Sequence, residues 1–371
     1  MTKALYIMIG GFLGAGKTTA MARLARHLTE DGKTVGLITN DQGSGLVDTL
    51  TLRSQGFEVE EIAGGCFCCR FNSLVAAAET LTEATRPDVF LAEPVGSCTD
   101  LVASVSYPLR RIYGENYTTA PLSVLVDPVR ASRVLGLESG RRFSSKVQYI
   151  YEKQLEEADV LVINKCDSFD PAARQSLRQA LTQRWPHPRI FEVSAREGDG
   201  LDAWFEYVTT TEIAGRPAMS IDYTLYGEGE ALLGWVNCTA QIVSSHPVDG
   251  NELLQTLMRG LQDQLQDTTT DIAHLKMTLS TDGGLGETGV VSLVRQDFVP
   301  ELSQRLSGAL TNAELIVNLR AEADPLLLQG AVEKQLGELD SSGGISVKVE
   351  HIEGFQPGPP VPTHRVENPE A

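Results

Sequence analysis

Gly10-Gly11-Phe12-Leu13-Gly14-Ala15-Gly16-Lys17-Thr18-Thr19 decides how this chain is read. It follows the apolar run Leu5–Ile9 and opens a stretch of helical periodicity, Lys17–Thr29. From Gly11 to Thr18 it fits G-x-x-x-x-G-K-[ST], with the strand before and the helix after that a phosphate loop requires. Glycines let the backbone turn its N–H groups toward phosphate oxygens, and the helix N-terminus adds partial positive charge. Gly11, Gly14, Ala15, Gly16 and Thr19 are therefore expected to line the phosphates of a nucleoside triphosphate. Lys17 is expected to reach the β- and γ-phosphates, and the Thr18 hydroxyl to ligate Mg²⁺.

Outward from this loop, short apolar strands alternate with amphipathic helices as far as about Thr210. Strands are expected at Leu5–Ile9, Thr34–Thr39, Glu58–Ile62, Val89–Ala92, Leu122–Val126, Val160–Ile163 and Ile190–Val193. Helices are expected between them, among others at Lys17–Thr29, Asn72–Ala84, Ser145–Ala158 and Pro171–Arg184. Several strands are unbroken Val, Ile and Leu runs, as parallel strands covered on both faces require. The expected fold is thus α/β, a doubly wound and mostly parallel sheet of P-loop NTPase type over residues 1–212.

Ala214-Gly215-Arg216-Pro217 reads as a linker within 213–222. Over 223–355 the pattern changes: strand Leu233–Val243, helix Gly250–Leu265, strands Ala273–Leu279, Val290–Arg295 and Glu314–Leu319, helix Leu326–Leu339 and strand Ile345–Ile352. That order suggests a smaller α+β domain of ferredoxin-like type. Residues 356–371 form a proline-rich tail, expected to be extended or mobile.

Asn164-Lys165-Cys166-Asp167 ends the apolar strand Val160–Ile163. An N-K-x-D there suits guanine, because one carboxylate, Asp167, can accept from both the ring N1–H and the 2-amino group. Lys165 can lie along the base and Asn164 can brace the loop, while the backbone at Ser194-Ala195 can approach the 6-oxo group. GTP and GDP are accordingly the expected nucleotides; the bland role for Asp167 is a helix cap before Pro171.

Val89-Phe90-Leu91-Ala92-Glu93-Pro94-Val95-Gly96 is a buried-type strand ending in an acid and then a glycine. Glu93 is expected to hold Mg²⁺ or its water, and Gly96 to offer its N–H to the γ-phosphate. Asp41, after the second strand, could contact Mg²⁺ or orient the attacking water; either acid could instead cap a turn, and Asp127 is a weaker candidate.

Gly64-Gly65-Cys66-Phe67-Cys68-Cys69 closes the third strand. Cys66 and Cys68 point the same way if the segment is extended, and a turn can bring Cys69 round. Three thiolates suit Zn²⁺, Cu(I) or Co²⁺ rather than Mg²⁺ and leave a coordination position open. Buried small hydrophobes or a redox pair are the other readings. Cys98, Cys166 and Cys238 stand apart in sequence and are expected to be structural, and His351 and His364 form no ligand pattern.

The 371 residues are 42% hydrophobic and 22% charged with a net charge of −18, which excludes a nucleic-acid partner class built on basic surfaces. No apolar run is long enough to span a bilayer. Six sparse cysteines do not make a disulfide scaffold, so a cytoplasmic location is expected.

Taken together, the phosphate loop, Gly65–Cys69, Glu93–Gly96 and Asn164–Asp167 resemble the CobW-like family of P-loop GTPases, over about residues 4–210. Where many members carry glutamate this chain has Asp41, and a histidine-rich acidic stretch found in many members is absent. The resemblance implies a GTP-hydrolysing metallochaperone that holds a transition metal, Zn²⁺ or Co²⁺, on Cys66, Cys68 and Cys69. The implied partner is a client metalloprotein or a cobalamin-type cofactor-maturation protein, and a nucleotide- or metal-dependent homodimer is open to it. Two other functions fit the motifs. One is a GTPase that gates a corrinoid- or metal-dependent methyltransferase or mutase; the other, opposed by the guanine motif, is a small-molecule kinase. No arginine finger is evident beyond Arg70.

Overall fold

The computed structural model describes residues 3–42, 47–212, 215–266, 271–281, 286–341 and 343–368. Ser44, in the loop after the second expected strand, and Ala214 of the expected linker lie outside these residues. Two compact units make up the chain: residues 1–42, 57–229 and 359–371 form the first, and 43–56 with 230–358 the second.

The elements up to residue 119 are β1 (Ala4–Gly11), α1 (Lys17–Glu30), β2 (Val35–Asn40), α2 (Val47–Ser54), β3 (Val59–Ile62), α3 (Phe71–Ala84), β4 (Val89–Glu93), α4 (Tyr107–Tyr113) and β5 (Tyr117–Thr119). Then come β6 (Ser123–Val126), α5 (Pro128–Val134), α6 (Ser145–Glu157), β7 (Val160–Ile163), α7 (Pro171–Arg184), β8 (Arg189–Glu192), α8 (Leu201–Thr210) and α9 (Tyr223–Ala231). In the first unit the sheet runs β3-β2-β4-β1-β6-β7-β8, with β5 also beside β1, and its pairings are parallel. Strands such as β4 and β7 are buried at every position because helices cover both faces, which explains their unbroken apolar sequences. After β4 the chain crosses to the far side of β1, so strand order reverses at the carboxyl ends of β4, β1 and β6. That reversal opens the crevice in which open α/β sheets bind ligands. β5 escapes sequence reading because three residues, Tyr117-Thr118-Thr119, carry no periodicity to count.

The second unit contains β9 (Leu233–Asp249), α10 (Gly250–Gln266), β10 (Asp271–Ser280), β11 (Thr288–Leu293), β12 (Glu301–Gln304), β13 (Ala309–Glu322), α11 (Pro325–Ser341) and β14 (Ile345–Phe355). Its antiparallel sheet has the order β12-β11-β10-β13-β9-β14. The segment β10-β13-β9-β14 with α10 and α11 is the ferredoxin-like arrangement, and β11 and β12 extend one edge. Leu275, Met277, Leu315 and Val317 join the core that α10 supplies with Leu254, Leu257 and Leu261.

Val290 and Ile316, on the opposite face by the two-residue period of a strand, pack against Val47 and Leu50 of α2. Val47 also donates its backbone N–H to Asn318 Oδ1 at 3.1 Å, and Asp48 pairs with Lys276. The division therefore differs in three places from a contiguous domain over 1–212. Helix α2 folds with the second unit, the boundary near Gly229 falls inside α9, and residues from Pro359 rejoin the first unit. Among the described residues no helix is long and apolar enough to cross a membrane.

Candidate functional site

Parallel strands present their carboxyl ends on one edge, and the segments singled out above leave the sheet there. β1 ends at Gly11, and the loop enters α1 through Gly16 at φ 92°. Only glycine fits here: a Cβ on Gly16 would meet Asn164 Nδ2 at 2.4 Å. Lys17 and Thr18 are buried at the start of α1. The Thr18 hydroxyl donates to Glu93 Oε1 at 3.2 Å, and Lys17 Nζ lies 3.8 Å from the same oxygen. Hydroxyl and carboxylate are hard oxygen donors of the kind Mg²⁺ selects, so this pair fits that ion. Past Glu93 the chain comes so close to the phosphate loop that a Cβ on Gly96 would meet Leu13 Cδ2 at 2.8 Å and Leu13 N at 3.0 Å. Asp41 is half-buried and accepts from the Gln42 N–H at 2.6 Å.

The guanine-type segments converge on the same loop. Asn164 Nδ2 donates to Ala15 O at 2.9 Å while its Oδ1 accepts from the Ala195 N–H at 2.9 Å, joining three loops through one amide. Lys165, at φ 60°, donates to Gly14 O at 2.7 Å and to Asp127 Oδ2 at 2.8 Å. Asp127 caps α5 by accepting from Arg130 N, so its position serves both the helix and Lys165. The cap of α7 is Asp170, which leaves Asp167 outside that role. Asp167 accepts from the Ser194 hydroxyl at 2.6 Å and from Arg196. Burial raises its pKa, but the Ser194 hydroxyl and the Arg196 guanidinium outweigh that and hold the carboxyl below its ordinary range.

The cysteine segment is a turn rather than an extended strand end. Cys66 O accepts from the N–H groups of both Cys69 and Arg70, which gathers the thiols before α3 begins. Cys66 Sγ lies 2.8 Å from Cys68 Sγ and 3.3 Å from Cys69 Sγ, and all three sulfurs lie within 4.8 Å of one another. Cys66 and Cys68 are buried and Cys69 is half-buried. Hydrogen bonds from Cys68 and Cys69, with a further one from Cys98, hold the Cys66 thiol well below its ordinary range. The side-chain hydrogen bond with Cys66 raises Cys68 and pushes Cys69 up to about 11. Cys98 is buried beyond β4, and Cys238 lies in the core of the second unit.

Sequence reading misses the groups that brace this turn. Asn40 Nδ2 donates to Ile62 O at 2.9 Å and to Gly65 O at 2.7 Å, linking the end of β2 to the cysteine turn. Arg70 folds back to donate to Gly64 O at 3.0 and 3.1 Å. The C-terminal segment lies across the turn: Thr363 donates its N–H to Cys68 O at 2.8 Å and its hydroxyl to Cys69 O at 3.0 Å. His364 meets Phe71 edge-on at 5.0 Å, and Arg365 pairs with buried Asp100 at 2.8 Å. The expected tail is thus extended and tied down at these residues. Only the phrase Thr-His-Arg after a proline run hints at it in the sequence.

Several known proteins are similar to this chain. The family model described as CobW/HypB/UreG, nucleotide-binding domain, matches residues 5–192. The zinc chaperone CobW of Sinorhizobium sp is 30% identical over 198 residues, which cover 48% of this chain and 55% of the relative. The zinc chaperone YeiR of Escherichia coli K12 is 32% identical over 181 residues, covering 48% of this chain and 50% of the relative. The chain thus spans about half the length of the curated relatives it matches. Among solved structures, the hydrogenase maturation factor HypB of Archaeoglobus fulgidus aligns at 20% identity with a TM-score of 0.39, over 56% of this chain and 89% of that one.

Proposed function

The chain belongs to the CobW/HypB/UreG nucleotide-binding family, and on that premise we propose that it is a GTP-hydrolysing metallochaperone whose cargo is zinc. Zinc would be carried on Cys66, Cys68 and Cys69 and passed to a client protein. The observation that carries this reading is the cluster of three sulfurs within 4.8 Å of one another, on the same sheet edge as the phosphate loop. Thiolates select zinc over magnesium, and hydroxyl and carboxylate do the reverse, so two metals have two separate donor sets. The names of the two zinc chaperones among the relatives agree with that cargo.

In this reading Gly11, Gly14, Ala15, Gly16, Lys17 and Thr19 cradle the phosphates, and Asp167 with Asn164, Lys165, Ser194 and Ala195 selects guanine. Thr18 and Glu93 hold magnesium, which supplies positive charge against the developing phosphate charge. Lys17 releases its contact with Glu93 and turns to the phosphates. Gly96 offers its N–H to the γ-phosphate, and Asp41 orients the attacking water.

Coupling between the two donor sets follows from adjacency. Asn40 ties the cysteine turn to the strand end that carries Asp41, so ordering one biases the other. Linkage then requires that GTP and zinc change each other's affinity by the same factor. Zinc affinity measured with a non-hydrolysable GTP analogue and with GDP tests this, with an expected ratio of roughly 5–150-fold. Equal affinities in both states overturn the switch, and no zinc binding in either overturns carriage.

A further inference from the structure

We propose that the strip beneath residues 361–366 is the docking place of the receiving protein, closed here by the chain's own C-terminal segment. The proposal rests on the reading of Cys66, Cys68 and Cys69 as a carrier site. The occupant that fits the strip is an extended peptide segment offering backbone N–H groups, a hydroxyl and an arginine.

Segment and strip meet in a one-way pattern. Val361 N–H donates to Cys69 Sγ at 3.2 Å, Thr363 N–H to Cys68 O at 2.8 Å and the Thr363 hydroxyl to Cys69 O at 3.0 Å. Arg365 donates to Asp100 Oδ2 at 2.8 Å, and Val366 N–H to Ala103 O at 2.9 Å. In each of these bonds the segment donates and the strip accepts. With Cys66 and Cys68 buried, a receiving group approaches by way of half-buried Cys69, and Val361 stands on that sulfur.

The two sides differ in how firmly they are built. None of residues 361–368 is buried, and Val361 is 71% exposed, so the segment can lift without opening a core. Pro359, Pro360 and Pro362 favour an extended chain even when it is free. Asp100, by contrast, is 1% exposed and held at φ 63°, a left-handed conformation that a residue other than glycine keeps only where its surroundings impose it. Its carbonyl accepts from the Ser104 N–H at 3.0 Å and its carboxylate from the Tyr223 hydroxyl. Beside it, the Thr99 N–H donates to the Tyr226 hydroxyl at 3.2 Å. The acceptor side is therefore preformed.

Asp100 also decides how the segment leaves. Arg365 pairs with this buried carboxylate, and its departure alone would leave a buried charge uncompensated, which is strongly unfavourable. Exchange for a second segment with its own arginine avoids that state. The strip thus favours replacement over simple opening, and the cysteine turn is handed from cover to receiver.

A labelled peptide of this chain's residues 359–368 serves as the probe for an incoming segment. Its binding to the reduced full-length protein is followed by fluorescence anisotropy for wild type, Arg365→Ala and Thr363→Val. In wild type the tethered segment competes at an effective concentration on the order of millimolar, so the peptide binds weakly. Loss of the charge-assisted contact in Arg365→Ala predicts binding roughly ten- to a hundredfold tighter, and loss of one hydroxyl donor in Thr363→Val roughly fivefold tighter. A peptide whose own arginine is replaced by alanine should lose that gain. Zinc release to a chelator from loaded Arg365→Ala should run about tenfold faster than from wild type and slow again with saturating peptide. Thermal melting checks that the variants fold, and Thr363→Val serves if Arg365→Ala does not. Equal peptide affinity for wild type and a folded variant overturns the docking strip and leaves three-cysteine carriage standing. A protein that binds no zinc overturns the carrier reading, and the docking role with it.

Discussion

The backbone N–H of Val361 donates to Cys69 Sγ at 3.2 Å. A residue of the C-terminal segment therefore touches the one half-buried sulfur of the cluster. Val361→Pro removes the donor within a run, Pro359-Pro360-Val361-Pro362, whose backbone already suits proline. One hydrogen bond to a sulfur is worth about 1 kcal/mol. Extraction of bound zinc by a chelator is expected to speed up roughly fivefold. Removal of residues 359–371 should speed it further, and an unchanged rate in both variants refutes a covering role for the segment.

Glu93 sits where Lys17 and Thr18 converge, at 3.8 and 3.2 Å. Glu93→Gln removes the charge that a magnesium ion needs and weakens the hold on Lys17. Steady-state hydrolysis should fall by roughly a hundredfold or more, whereas nucleotide binding measured without magnesium should be retained or tightened. If hydrolysis keeps its wild-type magnesium dependence, Glu93 does not hold the ion.

Asp167 is kept ionised by Ser194 and Arg196, as a double acceptor for guanine requires. In Asp167→Asn the amide can accept from only one donor and repels the other. Two charge-assisted bonds are affected, so GTP affinity should drop by about 3 kcal/mol, roughly two orders of magnitude. Xanthosine triphosphate replaces the 2-amino group by an oxo acceptor and should gain affinity in the variant. Loss of GTP without that gain would mean a folding defect rather than lost base reading.

Glu157, buried in α6, has its pKa raised to about 8, first by desolvation and then by the neighbouring Asp100 carboxylate. Val102 N–H and the Thr99 hydroxyl hydrogen-bond to it and only partly offset that rise. Because the folded value lies above the unfolded one, its contribution is fully present below about pH 4.5 and is lost as pH climbs toward 8. At the alkaline end this costs roughly 5 kcal/mol. Glu157→Gln removes that slope, so its melting temperature should exceed that of the wild type increasingly from pH 5 to 8.5. Parallel curves would show that Glu157 is ionised at both ends of the range.

The first unit is legible because its signals are local. Unbroken apolar strands, a glycine loop and N-K-x-D each depend on a few neighbouring residues, and parallel topology delivers their ends to one edge. The groups that escape reading are joined only in space. Arg365 and Asp100 are 265 positions apart, and nothing about Ser-Cys-Thr-Asp predicts that they pair. Asn40 looks like a strand end until its amide is seen to hold Gly65 O. Helix α2 is the sharpest case, since its apolar pair Val47 and Leu50 has no marker to say which sheet buries it. Packing partners far along the chain carry no local pattern, and only the fold discloses them.

The first unit is discontinuous, and the order of synthesis gives that a meaning. A ribosome makes residues 57–229, then the whole of 230–358, and only afterwards the segment that Thr363 and Arg365 fasten over Cys68 and Asp100. Domains fold as they emerge, N-terminal parts first. The nascent chain therefore displays its thiols to the surrounding thiol and metal pools for as long as the second unit takes to translate. The clasp closes only on chains that reach that point, so the cover forms after the second unit has been made.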